Sequence, residues 1–412
     1  MADENRLARD AAQRVARESY GKLVAFLARR TRDVAAAEDA LSEAFAAALV
    51  EWPRKGVPQN PEGWLMAVAK RKTIDALRRM QSGEAASQHL KLLAEEFEAM
   101  GGIERQIPDE RLALMFACAH PAIDLAIRTP LILQTVLGLD AAAIGSAFLV
   151  TPAAMGQRLA RAKHKIKVAA IPFRVPDRAE LGERLDAVLE AVYAAYSNGW
   201  SDPANAQNNL AEEAIWLGRL IAGLLPGEPE ALGLLALMLF LQSRCNARRS
   251  AAGEFVPLSE QDPGAWNGEL VDEAEKLLRH ASAMKVIGRY QMEAAIQSVH
   301  AARRFTGSTD WKAIVGFYGG LYELTGSAVV AINHAVALSE VEGAEVGIAA
   351  LPKLSDNPEL VQFQPYYAAR AALLAQAGQL AEARLAYDMA IGLETDPAIR
   401  RFLQSKANLK MQ

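Results

Sequence analysis

The chain has 412 residues, a formal net charge of −4, 51% hydrophobic residues and 23% charged ones. Such a composition can fill real cores over about two to four domains, and it excludes a disordered chain. The two cysteines, Cys118 and Cys245, exclude a disulfide framework and fit a reduced compartment.

Alanine and leucine dominate and β-branched runs are scarce, which favours helices throughout. The most apolar run, residues 214–240, is broken by Arg219 and by PGEPE at 226–230. It reads as two buried helices and not as a membrane span. The opening MADENRLARD has no apolar signal core, so a cytoplasmic protein without a membrane partner is expected. Charge is unevenly spread: residues 1–176 carry 25 Lys+Arg against 20 Asp+Glu, and the remainder carries 20 against 29. A basic front joined to an acidic rear is the asymmetry expected where one part meets a polyanion.

Residues 1–80 read as one compact helical domain. Leu23, Val24 and Leu27 make an apolar stripe on the first helix. Leu41, Ala44, Phe45, Ala48, Leu49 and Trp52 then recur at helical spacing, with Pro53 expected to stop that helix. Asn60 is placed to cap, and Pro61 to open, the helix 61–80. That helix carries Lys70, Arg71, Lys72, Arg78 and Arg79 around the single acid Asp75, with Trp64 near its start. Cations beside an aromatic suit a melted strand, because phosphates need charge and unpaired bases need a stacking surface; a solvated basic face and a core Trp64 are the plainer alternative. Glu38, Asp39 and Glu43 line the polar face of the preceding helix, either as ordinary solvation or as a docking face for a basic partner.

Residues 81–108, rich in Ser, Gly and Glu, read as a linker. Residues 109–172 read as a second helical domain, closed by the two prolines of IPFRVPDR at 171–178. Within it, residues 140–167 read as helix, tight turn, helix. Thr151 caps the second helix and Pro152 opens it, and residues 151–176 hold six basic and no acidic residues. Arg158, Arg161, Lys163, Lys165 and Lys167 are expected to point outward. This is the pattern of a helix-turn-helix whose second helix lies in a major groove, its first turn (Thr151, Ala154, Gln157) towards bases and its basic half towards phosphates.

Residues 173–412 read as helix pairs separated by Gly/Pro turns. The clearest, 365–397, sets Gly378, Ala383, Tyr387 and Ala390 at tetratricopeptide spacing, and 327–354 and 211–240 look like looser relatives. Residues 245–268 read as an irregular insertion. The fold class expected is therefore all-α: two small helical domains followed by a tetratricopeptide-like (TPR-like) solenoid.

Taken together, AEDALSEAFAAALVEWP, NPEGWLMAVAKRKTIDALRR and IGSAFLVTPAAMGQRLARAKHKIK resemble an extracytoplasmic-function (ECF) sigma factor, the first two its region two and the third its region four. The helical remainder resembles the subgroup with a long tetratricopeptide-like extension. The resemblance implies docking on the clamp of core RNA polymerase through Asp39, Leu41 and Glu43, and contact of region four with the flap. It implies recognition and melting of a −10 element by the loop 54–60, Trp64, Lys70, Arg71, Lys72, Arg78 and Arg79. It implies reading of a −35 element by Thr151, Ala154, Gln157, Arg158, Arg161, Lys163 and Lys165. Promoter DNA and core polymerase are thus the expected partners, and the extension is expected to regulate activity. Two routes are open for it: packing on residues 1–170, or binding a regulatory protein or ligand.

No phosphate loop, nucleophile elbow or pair of catalytic acids is present, so no enzymatic activity and no cofactor are expected. Cys118 and His120 lack further ligands at metal spacing, and His300 and His334 read as packing residues. Asn198-Gly199-Trp200 with Asn205, Asn208 and Asn209 reads as a polar surface loop. Two other readings remain: a helix-turn-helix regulator with a tetratricopeptide sensor, which leaves the 35–80 pattern unexplained, and a peptide-binding tetratricopeptide scaffold.

Overall fold

The computed structural model describes residues 2–80, 110–148, 150–201 and 210–409; the linker expected at 81–108 lies outside them. Among the described residues the regular structure is helical, save one isolated bridge between Arg249 and Phe255. The chain divides into two compact units, Met1–Ala214 and Ile215–Gln412.

The first unit begins with α1 (Ala2–Thr31), α2 (Val34–Lys55) and α3 (Pro61–Met80). Leu23, Val24, Phe26 and Leu27 of α1 are buried, as are Leu41, Ala44, Ala48 and Trp52 of α2 and Leu65, Met66 and Ala69 of α3. Each set recurs every three or four residues, so each helix turns one stripe inward. Asp33 caps α2 by accepting from the Ala36 N–H at 3.1 Å. Pro53 does not stop that helix: α2 continues to Lys55 and ends at Gly56, whose φ of +85° suits glycine. Proline removes one donor from the last turn and disfavours the helix just before it, and here the neighbouring turns hold it helical.

Four helices follow: α4 (Arg111–Cys118), α5 (Leu125–Leu137), α6 (Ala141–Ala147) and α7 (Pro152–Val168). Then α8 (Arg178–Ser201) lies across α4 and α5. Asn198, Gly199 and Trp200 therefore belong to a helix and not to the polar loop expected there, and Trp200 stacks on Tyr196 at 5.8 Å; Asn205, Asn208 and Asn209 lie outside the described residues. The helices α1 and α5 touch closely. A Cβ added at Gly21 would sit 1.8 Å from the carbonyl oxygen of Val136. The division between units falls inside α9 (Leu210–Leu224).

The second unit is built on α10 (Pro229–Ser243), which buries Leu232, Leu234, Leu235, Leu237, Met238, Leu239 and Phe240, apolar on all sides as a central helix must be. Around it pack α11 (Gly268–Ala283) and α12 (Arg289–Thr306). The Glu230 carboxylate accepts from the N–H groups of Tyr290 at 2.8 Å and Gln291 at 3.1 Å, satisfying the open end of α12. The insertion 245–268 forms short 3₁₀ turns fastened by Arg303, which donates to the carbonyls of Leu258, Ser259 and Gln261.

Thereafter α13 (Trp311–Thr325), α14 (Ala328–Glu342), α15 (Ala344–Ala350), α16 (Gln364–Gln376), α17 (Leu380–Leu393) and α18 (Pro397–Leu409) each pack on the next. In the hairpin α16–α17, Gly378 turns the chain at φ +78°, and Ala383, Tyr387 and Ala390 are buried with Ala371 and Leu374 where the helices cross. Ala390→Leu is expected to overpack this crossing and cost about 1–3 kcal/mol. The thermal midpoint of the second unit should fall by about 2–4 °C per kcal/mol, as read by calorimetry.

Candidate nucleic-acid interface

The turn between α6 and α7 is made by backbone. The Val150 N–H donates to the Gly145 carbonyl at 2.8 Å, and a Cβ at Gly145 would lie 2.5 Å from the Val150 carbonyl oxygen. Glycine at 145 is therefore what allows so tight a reversal. Thr151 Oγ1 then accepts from the Ala154 N–H at 3.4 Å, and Pro152 occupies the first turn, where its missing donor costs nothing. Met155, Leu159, Ala162 and Ile166 are buried at spacings of four, three and four, which fixes the rotation of α7. Gln157, Arg158, Arg161 and Lys165 are consequently exposed, Thr151 is exposed and Ala154 is half-buried. Arg158, Arg161 and Lys165 make no ion pair among the described residues.

Of the cations of α7, Lys163 departs from its expected outward aim, while Lys167 is exposed as expected but engaged in an ion pair. Lys163 donates to Glu38 Oε2 on α2 at 2.5 Å, with side chains only 14% and 12% exposed, and Lys167 pairs with Asp33 Oδ2 at 2.7 Å. Burial, partly offset by Lys163, pushes the Glu38 carboxyl above its ordinary range, and its other oxygen is buried without a partner among the described residues.

On α3, the Asn60 side chain accepts from the Gly63 N–H at 2.9 Å and so caps the helix. Trp64 is half-buried, edge-on to Trp52 at 5.5 Å, so its ring serves the core at one edge. Lys70 lies over the Phe26 ring at 5.3 Å, and burial together with neighbouring Arg30 lowers its pKa. Arg71 is exposed, and Lys72 pairs with Glu43 at 2.9 Å at the surface. Arg78 and Arg79 fall in the last turns of α3, with side chains outside the described residues. On α2, Asp39 and Glu43 are exposed, whereas Leu41 is wholly buried. As placed, Leu41 belongs to the core, because two residues along a helix turn a side chain roughly 200° from Asp39.

The sequence reading missed the seam that joins α1–α3 to α4–α7. Besides Lys163–Glu38, Lys167–Asp33 and the Gly21 contact, it holds Glu110, which accepts from Arg29 at 3.0 Å and Arg30 at 3.1 Å. These partners lie 80 or more residues apart, so no local spacing announces them. The one available sign was Gly21 itself, a glycine in the middle of an otherwise strong helix.

Cys118 is fully buried beside Thr135, and burial pushes its thiol up to about 12, so it is inert core. His300 is buried edge-on to Trp311, and burial with nearby Arg244 and Arg303 pushes it down to about 4. His334 is lowered by burial. No cluster of metal-ligating side chains occurs, and no helix is long and apolar enough to cross a membrane, among the described residues.

Residues 15–83 match sigma-70 region 2, the span from mid α1 through α3. Residues 184–282 match a family of unknown function, DUF6596. An uncharacterized protein of Rhizobium meliloti (strain 1021) is 37% identical over 386 residues, covering 92% of this chain and 90% of its own. The chain belongs to the family of that protein. No solved structure matches it. The region 2 domain supports a sigma-factor role in promoter recognition and transcription initiation, and it implies core RNA polymerase and promoter DNA as partners.

Gly156 lies half-buried within α7, and a Cβ there would meet only the Ala141 methyl at 4.0 Å. Gly156→Ala should therefore stabilise the helix by about 1 kcal/mol, measured by urea unfolding.

Proposed function

We propose that this chain is an alternative sigma factor of the extracytoplasmic-function type, acting in the cytoplasm by binding and not by catalysis. The sigma-70 region 2 match over α1–α3 carries the reading. The exposed row Gln157, Arg158, Arg161 and Lys165 on a capped helix after a tight turn supports a region-four helix-turn-helix behind it.

In this reading α7 enters the major groove of a −35 element. Thr151, Ala154 and Gln157 in its first turns face bases, and Arg158, Arg161, Lys163 and Lys165 meet phosphates. Trp64, Lys70, Arg71, Lys72, Arg78 and Arg79 hold the −10 element, where capturing an unpaired base costs a few kcal/mol of unstacking. Asp39 and Glu43 dock on the polymerase clamp, and region four touches the flap. Residues 173–412 are a tetratricopeptide-like regulatory extension open to a protein or ligand partner.

Run-off transcription with core polymerase on genomic fragments tests this. The full chain should direct discrete starts. Arg158→Glu with Arg161→Glu should abolish −35-dependent initiation, and Arg78→Glu with Arg79→Glu should slow opening. Each neutralised phosphate contact should reduce the slope of log K against log salt by about 0.9. Normal initiation by these variants would overturn the residue roles. A chain ending after about residue 178 that transcribes like the full one would remove the regulatory role of the extension.

A further inference from the structure

We infer that the insertion after α10 is a releasable clasp: its hairpin, residues 248–256, together with Glu260 fills a recognition face on the last helix, α18. A segment of another protein that carries an aromatic side chain and, five residues on, a carboxylate gains that face by displacing it. The regulatory meaning rests on the reading of residues 173–412 as a partner-binding extension; the geometry does not.

In a row of helices that each pack on the next, distant members communicate only through those between them. In the second unit the early insertion and the final helix meet directly. Arg249 pairs with Asp396, just before α18, and Lys406 Nζ lies 3.2 Å from Glu260 Oε1; these partners are 147 and 146 residues apart. Between the two pairs the Phe255 ring meets Phe402 edge-on at 5.3 Å. Backbone shapes the hairpin. Arg249 and Phe255 form the isolated bridge, the Val256 N–H donates to the Arg248 carbonyl at 2.9 Å, the Ser250 N–H donates to the Glu254 carbonyl at 2.9 Å, and Gly253 turns the tip at φ +78°. Residues directly opposite on antiparallel strands share a face, so Arg249 and Phe255 reach α18 together. On α18, Phe402 and Lys406 are one turn apart and also share a face, with Lys406 Nζ 5.2 Å from the centre of the Phe402 ring.

The clasp is fixed at its base and loose at its tip. No residue from 244 to 260 is buried, whereas Gln261 and Trp266 are. Arg303 holds the carbonyls of Leu258, Ser259 and Gln261, and the Asn267 N–H donates to the Ser243 carbonyl at 2.8 Å. Lys406 and Glu260 are 39% and 56% exposed. An ion pair in so much water and a single ring pair are each weak. A two-stranded hairpin is marginal by itself, so this one depends on α18 for its order. What keeps it seated is the tether, which presents it to α18 at an effective concentration of about millimolar. A free segment of the same chemistry therefore competes only when it is concentrated or gains further contacts. Phe402 offers such a segment an apolar ring and Lys406 a cation one turn on, which is why an aromatic followed by an acid fits.

The test uses the full chain and a fluorescent synthetic peptide of residues 247–264. Phe255→Ala with Glu260→Lys should open the clasp. Amides of α18 should then exchange with deuterium about tenfold faster, while those of α10 keep their wild-type protection, which also shows that the opened chain is folded. The wild-type peptide should bind the opened chain at least tenfold more tightly than the wild-type chain, as read by anisotropy. A peptide carrying the same two substitutions should not bind. Glu260→Lys alone, at an exposed position, should raise α18 exchange by a smaller factor, and adding Lys406→Glu should restore it. Unchanged exchange in α18, or peptides that fail to discriminate between the two chains, would overturn the clasp. If exchange and binding respond as stated but run-off transcription is the same for both chains, the clasp stands and the regulatory reading of the extension falls.

Discussion

Glu38 is the residue around which the first unit is organised. Its carboxylate sits on α2 almost out of water, and burial works against its charge. A buried charge persists only when an opposite one meets it, and Lys163 is the cation the chain supplies, 125 residues later. That pair fastens the basic helix α7 to the acidic helix α2. The remaining contacts of the seam extend the same principle: Arg30 with Glu110 is about as buried, whereas Lys167 with Asp33 and Arg29 with Glu110 each involve an exposed cation and contribute less.

Close backbone approach completes what charge begins. Within the first unit, Gly21 and Gly145 are places where a methyl group would collide with a carbonyl oxygen of another segment, Val136 in one case and Val150 in the other. The first lets α5 lie against α1; the second lets α7 turn back against α6. Between them they determine where the outer face of α7 ends up. Specificity of arrangement here comes from absence of side chain as much as from its presence. The second unit uses the same device at Gly233, whose missing Cβ admits the backbone of Gln291.

Much of the helical layout was legible in the sequence because it depends on local rules. Caps at Asn60 and Thr151, the prolines after them, and the inward stripes of α2 and α7 are short-range patterns with a short-range cause. The hairpin at Gly378 with small residues at 383 and 390 was readable for the same reason. Pro53 misled because proline weighs against helix only by local energetics, which the surrounding turns outweighed. Leu41 misled because a motif placed it beside Asp39 in the chain, while the helix placed it on the opposite side. The inward aim of Lys163 and the partners of Lys163 and Lys167 could not be read at all, since those partners are distant in sequence and charge alone carries no address.

Under the proposed function, Lys163 has two rival occupations, the Glu38 carboxylate within the chain and a phosphate outside it. Selection therefore cannot adjust that position for one without disturbing the other. A stronger cation there would grip both, and a neutral residue would abandon both. Arg158, Arg161 and Lys165 carry no such double duty among the described residues. Under the proposed function, these are positions where a hold on a nucleic acid can be retuned without disturbing an ion pair within the chain, while position 163 stays tied.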